Sequence, residues 1–176
     1  SNVGKSSLIN ALARRRKLAK VSSEPGKTRS VNLFKVMPDG FCLTDLPGYG
    51  YARRGHEERR NWAALIQKYL EETRSLRALV LLIDCRIPTQ ESDRMMADFA
   101  RSRHLPVIAV LTKADKCTLK ERSAQQKIWS AILGGTKPVV VSSVTGLGLD
   151  ELWDLLRETG APEPLSSSED SASAAD

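Results

Sequence analysis

Apolar residues fall in short unbroken runs that alternate with stretches of helical spacing. Ala78-Leu79-Val80-Leu81-Leu82-Ile83 and Pro106-Val107-Ile108-Ala109-Val110-Leu111 are continuous and of strand length, as expected of parallel strands covered on both faces. Lys137 to Ser142 reads as a third such strand. Helices are predicted over Lys5–Arg16, Glu57–Glu72, Ser92–Arg103, Leu119–Leu133 (stopped by Gly134-Gly135) and within Gly148–Gly160. Ser30–Met37 and Phe41–Asp45 read as the arms of a hairpin about Pro38-Asp39-Gly40. Strands alternating with helices predict an α/β fold, a mainly parallel sheet with helices on both faces. Residues 1–160 are expected to form one domain. Residues 161–176, rich in Ser, Ala and acids without apolar periodicity, are expected to form a disordered tail.

Composition changes this picture little. Of 176 residues, 41% are hydrophobic and 27% charged, which suits a globular domain, and no apolar run approaches the ~20 residues that span a bilayer. No membrane association is expected. Cys42, Cys85 and Cys117 lack metal-ligand spacing. Cys42 and Cys85 sit in strand-like runs, so buried free thiols in a reducing cytoplasm are expected. Charge says more. The net +6 includes four acids in the tail, leaving 27 bases against 17 acids in the body, a surplus suited to a polyanion such as RNA. The cluster Arg14-Arg15-Arg16-Lys17 has two readings, a helix C-terminal cap or an RNA contact.

Four polar motifs stand at places where such a sheet binds ligands, beyond strand ends or at the start of the first helix. Ser1-Asn2-Val3-Gly4-Lys5-Ser6-Ser7 contains the second half of the phosphate-loop pattern G-x-x-x-x-G-K-[ST]. There the glycine lets backbone N–H groups converge on phosphate, the lysine reaches the β- and γ-phosphates, and the Ser6 hydroxyl meets Mg²⁺. Taken alone, Gly4-Lys5-Ser6 equally describes a glycine turn before an ordinary helix. The pattern would begin before residue 1, so the first loop glycine and the strand leading into it are expected to lie outside these residues. Without that strand, its two neighbours in the sheet would lack a backbone partner. Asp45-x-x-Gly48 supplies a carboxylate that reaches Mg²⁺ through water and an N–H for the γ-phosphate. Thr112-Lys113-x-Asp115 supplies a carboxylate that can accept from both the N1–H and the amine of guanine, a pairing adenine lacks. The Lys113 stem would lie along the base. At Ser142-Ser143 a backbone N–H would meet guanine O6. Each motif is weak alone; their order and spacing together point to one guanine-nucleotide pocket.

These strings, together with Pro25-Gly26-Lys27-Thr28 and Asp45-Leu46-Pro47-Gly48-Tyr49-Gly50-Tyr51-Ala52, resemble those of the EngB (YsxC/YihA) family of bacterial ribosome-biogenesis P-loop GTPases. The resemblance spans nearly the whole chain up to Gly160. It implies a Ras-like G domain, GTP hydrolysis, and a switch acting in assembly of the large ribosomal subunit and needed for normal cell division. The implied partners are GTP or GDP and the large subunit or its rRNA, with the protein a monomer. Thr28 would be the switch I threonine that joins Mg²⁺, in a loop over Ala19–Ser30, and Tyr49–Glu58 would be switch II. Many relatives place a glutamine just after D-x-x-G to orient the attacking water. Tyr49 stands there in this chain, so slow intrinsic hydrolysis is expected and no catalytic base is assigned. Asn2, three residues before Lys5, has two readings: a ligand for K⁺ near the phosphates, as in some related GTPases, or a residue that tolerates a tight turn. The nucleotide-binding set is therefore Asn2, Val3, Gly4, Lys5, Ser6, Ser7, Thr28, Asp45, Gly48, Thr112, Lys113, Asp115, Ser142 and Ser143, with Ser6, Thr28 and Asp45 on Mg²⁺. Two rivals follow from the same residues. One is an RNA-docking module acting through Arg14–Lys17, Arg53 and Arg54, with little or no hydrolysis. The other is a GTPase of another branch, such as tRNA modification, which would be expected to carry a second folded domain.

Overall fold

The computed structural model of the chain describes residues 3–15, 31–46, 64 and 66–161. Strands β3 (Leu79–Asp84), β4 (Val107–Thr112) and β5 (Val139–Val140) form a parallel sheet in the order β3-β4-β5. Its register sets Asp84 against Thr112, so the polar ends of two apolar strands finish level with each other. Leu, Val and Ile dominate because both faces are covered, and the alternation along each strand sends successive side chains to opposite layers. Leu81, Ile83, Ala109 and Leu111 join Ala97 of helix α3 (Glu91–Ser102) and Trp129 of helix α4 (Leu119–Ile132) in one core. Val110, Val139 and Val141 join Leu8 and Leu12 of helix α1 (Lys5–Leu12) and Leu152 and Leu156 of helix α5 (Leu149–Gly160) in the other. Fully burying one such side chain contributes about 1.5–3 kcal/mol.

A separate antiparallel ribbon pairs β1 (Asn32–Lys35) with β2 (Cys42–Asp45), Asn32 opposite Asp45 and Lys35 opposite Cys42. Gly40, at φ 80°, closes the turn by donating its N–H to the Val36 carbonyl at 2.8 Å. Residues 66–72 are helical (α2), and the Tyr69 hydroxyl hydrogen-bonds Thr44 Oγ1 at 2.9 Å, which docks this helix on the ribbon. Among the described residues no ladder joins β2 to β3.

Three expectations are corrected. Helix α1 stops at Leu12, not Arg16, because Arg14 takes the left-handed conformation (φ 50°) and its N–H bonds Ala11 O while that of Arg15 bonds Asn10 O. This is a Schellman ending, here without the usual glycine, so Arg14 and Arg15 stand exposed just past the helix rather than in its last turn. The last strand is shorter than Lys137–Ser142, because β4 ends at Thr112 and the ladder passes into the turn beyond it: Ala114 N–H donates to Val141 O at 3.1 Å. Cys42 is exposed, since one face of a two-stranded ribbon meets water; Cys85 and Cys117 are the buried thiols, and burial pushes Cys85 up to about 12. No helix among the described residues is long and apolar enough to cross a membrane. Asn2, Arg16, Lys17, the loop Ala19–Ser30 with Thr28, Gly48, Tyr49 through Glu58, and the tail from residue 162 lie outside the described residues.

Candidate functional site

Helix α1 is preceded by Gly4, whose φ of 96° lies in the left-handed region that favours glycine. Lys5, Ser6 and Ser7 form the first turn, half-buried, with the Leu8 N–H bonded to Gly4 O at 2.8 Å. The positive end of the helix dipole is therefore presented at this turn. Thr112 Oγ1, at the end of β4, lies 2.6 Å from the Val3 carbonyl and 3.1 Å from that of Ile83. This buried hydroxyl ties the loop to β4, next to the end of β3. From β2, Asp45 forms an ion pair with the Lys5 ammonium. Its carboxylate is 5% exposed, so pairing is what makes its burial tolerable.

Asp115 follows β4 in a short 3₁₀ turn, Ala114–Lys116, and is exposed. Ser142, wholly buried beyond β5, donates its hydroxyl to Asp115 Oδ1 at 2.7 Å. Ser142 Oγ in turn accepts from the N–H groups of Val144 and Thr145, each at 3.2 Å, which fixes the rotor. The Ser142 hydrogen bond holds the Asp115 carboxyl below the usual carboxylate range, and the group stays an acceptor. The Ser142 N–H is committed to Leu147 O at 3.0 Å, which leaves Ser143 to offer any backbone N–H outward.

One pair of residues belongs here that the motifs did not name. Asp84, 6% exposed at the end of β3, accepts from Lys113 Nζ at 2.8 Å and from Arg86 Nε and Nη2 at 2.9 and 2.7 Å. Burial works against its charge, but the hydrogen bonds from Arg86 and Lys113 outweigh it and hold the carboxyl at about 2. Like Asp45, Asp84 ends an apolar strand, but no motif spacing marks it. Lys113 does not extend freely; its stem passes within 3.8 Å of where a Gly4 Cβ would stand and its ammonium ends on Asp84.

The structure thus brings Val3, Gly4, Lys5, Ser6, Ser7, Asp45, Thr112, Lys113, Asp115, Ser142 and Ser143 to the carboxyl ends of the strands and the start of α1. Asn2, Thr28 and Gly48 lie outside the described residues. Ser6 and Asp45 are hard oxygen donors, which fits Mg²⁺, an ion that keeps several waters and completes its shell with phosphate.

Comparison with known proteins places this geometry in company. A family model described as a 50S ribosome-binding GTPase matches residues 1–113. The probable GTP-binding protein EngB of Nitratidesulfovibrio vulgaris is 56% identical over 161 residues, 92% of this chain and 74% of that protein. Its counterpart in Thermotoga maritima is 46% identical over 160 residues, 89% of this chain and 80% of that one. Among solved structures, a probable GTP-binding protein EngB superposes with a TM-score of 0.71 at 20% identity, covering 90% of this chain and 93% of that one, which shows the shared fold. Era, in a complex with MgGDPNP and a segment of 16S ribosomal RNA, gives a TM-score of 0.76 at 26% identity over 93% of this chain and 55% of Era.

Proposed function

This chain belongs to the EngB family of P-loop GTPases, and from that premise we propose that it is a GTP-dependent switch acting in assembly of the large ribosomal subunit, and so in cell division, in the cytoplasm. In this reading residues 1–160 are the G domain and 161–176 a tail outside it. The observation that carries the nucleotide part is that Lys5, paired with Asp45 at the start of α1, and Asp115, paired with Ser142 beyond β4 and β5, both stand where strands end. Lys5 turns from Asp45 to the β- and γ-phosphates, where the N–H groups of the first turn also point. Asp45, relieved of Lys5, would with Ser6 and, outside the described residues, Thr28 hold Mg²⁺. Such an ion would supply neutralising charge to the phosphates. Gly48 offers its N–H to the γ-phosphate, and Asn2 either holds K⁺ or shapes the turn.

At the other end Asp115 accepts from N1–H and the amine of guanine, and a Ser143 N–H meets O6. Thr112 serves the pocket by tying Val3 in place. Without a glutamine after Gly48, water is oriented by backbone, cation or partner, and intrinsic hydrolysis is slow. Arg14 and Arg15, exposed beyond α1, suit an rRNA contact.

Sedimentation of the protein with isolated large ribosomal subunits, loaded with GDP or with a non-hydrolysable GTP analogue, tests the ribosomal part. Binding that differs between the two nucleotides supports the switch. Binding that is salt-sensitive but indifferent to nucleotide would instead support the RNA-docking module, and no binding in either state would remove the ribosomal role.

A further inference from the structure

We propose that Asp84 is a positioning residue of the nucleoside pocket: by anchoring the Lys113 ammonium at the end of β3, it holds the Lys113 stem beside Gly4 as a wall for the purine nucleoside. The proposal rests on reading the site as a guanine-nucleotide pocket. Asp84 lies at the right place, its Cα paired with that of Thr112, one residue before Lys113. Its rotamer is fixed from three directions by Arg86, whose backbone N–H and Nε donate to Oδ1 at 3.1 and 2.9 Å while Nη2 donates to Oδ2 at 2.7 Å. A carboxylate clamped in this way is a rigid anchor, and Oδ2 still accepts from Lys113 Nζ at 2.8 Å. Lys113 adopts φ 59°, the left-handed region, where its own side chain makes no cap for the 3₁₀ turn that follows. That backbone conformation and the Asp84 anchor fix both ends of the stem, and its Cε stands beside Gly4.

The physical consequence is preorganisation. An untethered lysine samples many rotamers and loses them when a ligand packs on its methylenes; a tethered one has lost them already. Asp84 therefore acts through Lys113 and touches no phosphate, whose counter-charge comes from Lys5. Removing the anchor should weaken nucleoside binding and leave phosphate binding alone.

The test measures affinity of the full chain for a fluorescent GDP analogue in the wild type, Asp84→Asn, Lys113→Met and the double variant, with displacement by inorganic pyrophosphate read alongside. Asp84→Asn should weaken the GDP analogue by about tenfold. The double variant should bind like Lys113→Met alone, and the affinity for pyrophosphate should not change. Should the amide variant fail to melt cooperatively, Asp84→Glu keeps the charge that Arg86 requires while displacing the anchor. It should weaken GDP by a smaller factor that again vanishes beside Lys113→Met. If wild type binds GDP while the Asp84 variant binds within twofold of it, the proposal falls. It falls equally if the loss persists undiminished in the Lys113→Met background, or if pyrophosphate weakens in step with GDP. A folded wild type that binds no GDP overturns the nucleotide reading, and this one with it.

Discussion

The buried Ser142 hydroxyl orients the Asp115 carboxylate by donating to Oδ1, and on the proposed reading that carboxylate faces guanine. An ionised carboxylate only accepts, which matches two adjacent donors on guanine. Asp115→Asn turns one acceptor into a donor and suits xanthine, which has a carbonyl where guanine has an amine. The variant should therefore lose GDP affinity by about two orders of magnitude and gain affinity for xanthosine diphosphate, read by competition titration. Asp84 makes a prediction about pH. Its folded pKa, about 2, lies below the ordinary 3.8, so its ion pairs contribute stability that is fully present above about pH 4 and lost as pH falls toward 2. The difference in Tm between wild type and Asp84→Asn should shrink across that window; a constant difference down to pH 2 would contradict the account.

These residues also show what a sequence discloses. That Lys5, Asp45 and Asp115 would stand at strand ends or at the start of α1 was legible, because each belongs to a motif that follows an apolar run or opens a helix. Asp84 was not, because its task is to hold another side chain, and a lone aspartate at a strand end carries no spacing that says so. Thr112 was legible as part of a motif, yet that its hydroxyl faces inward to Val3 depends on a contact 109 residues apart in sequence.

At the scale of elements, the strands and helices followed from run length and periodicity, while their ends depended on local conformations that composition does not announce. Three helices end in the same way, through Arg14, His104 and Gly134, each at positive φ, and only the last has the residue type that signals such an ending. Cys42 shows the matching limit for strands, since an apolar run does not say whether its face is covered. Gly148, which opens α5, is a place where the element depends on one residue. It has φ 69°, and a Cβ there would stand 2.1 Å from the Val140 carbonyl oxygen, a backbone atom that cannot swing away. Gly148→Ala should cost at least about 2 kcal/mol, from left-handed strain and the clash with β5 together, and lower the midpoint of urea unfolding. Gly146→Ala makes a fair control, because its φ is also positive while nothing lies within 4 Å of its Cβ position, so its cost should be smaller.

For the whole molecule, the layout explains why motifs so distant in sequence meet at one edge of the sheet. A parallel sheet delivers the ends of its strands to one edge, and β3 and β4 finish level at Asp84 and Thr112. Helix α1 presents its start at the same edge, held there by Thr112 and by packing of Leu8 and Leu12 on Val110, Val139 and Val141. The hairpin brings Asp45 to Lys5. On the proposed reading, the phosphate and base ends of a nucleotide are read by separate elements whose relative placement the cores fix. The measurement that bears most directly on this is titration of the chain with a fluorescent GDP analogue in Mg²⁺, competed by GTP and by ATP. Saturable binding displaced by GTP and untouched by equal ATP is the predicted result. Displacement by ATP as effective as by GTP, or no binding by a chain that circular dichroism shows to be folded, would contradict it.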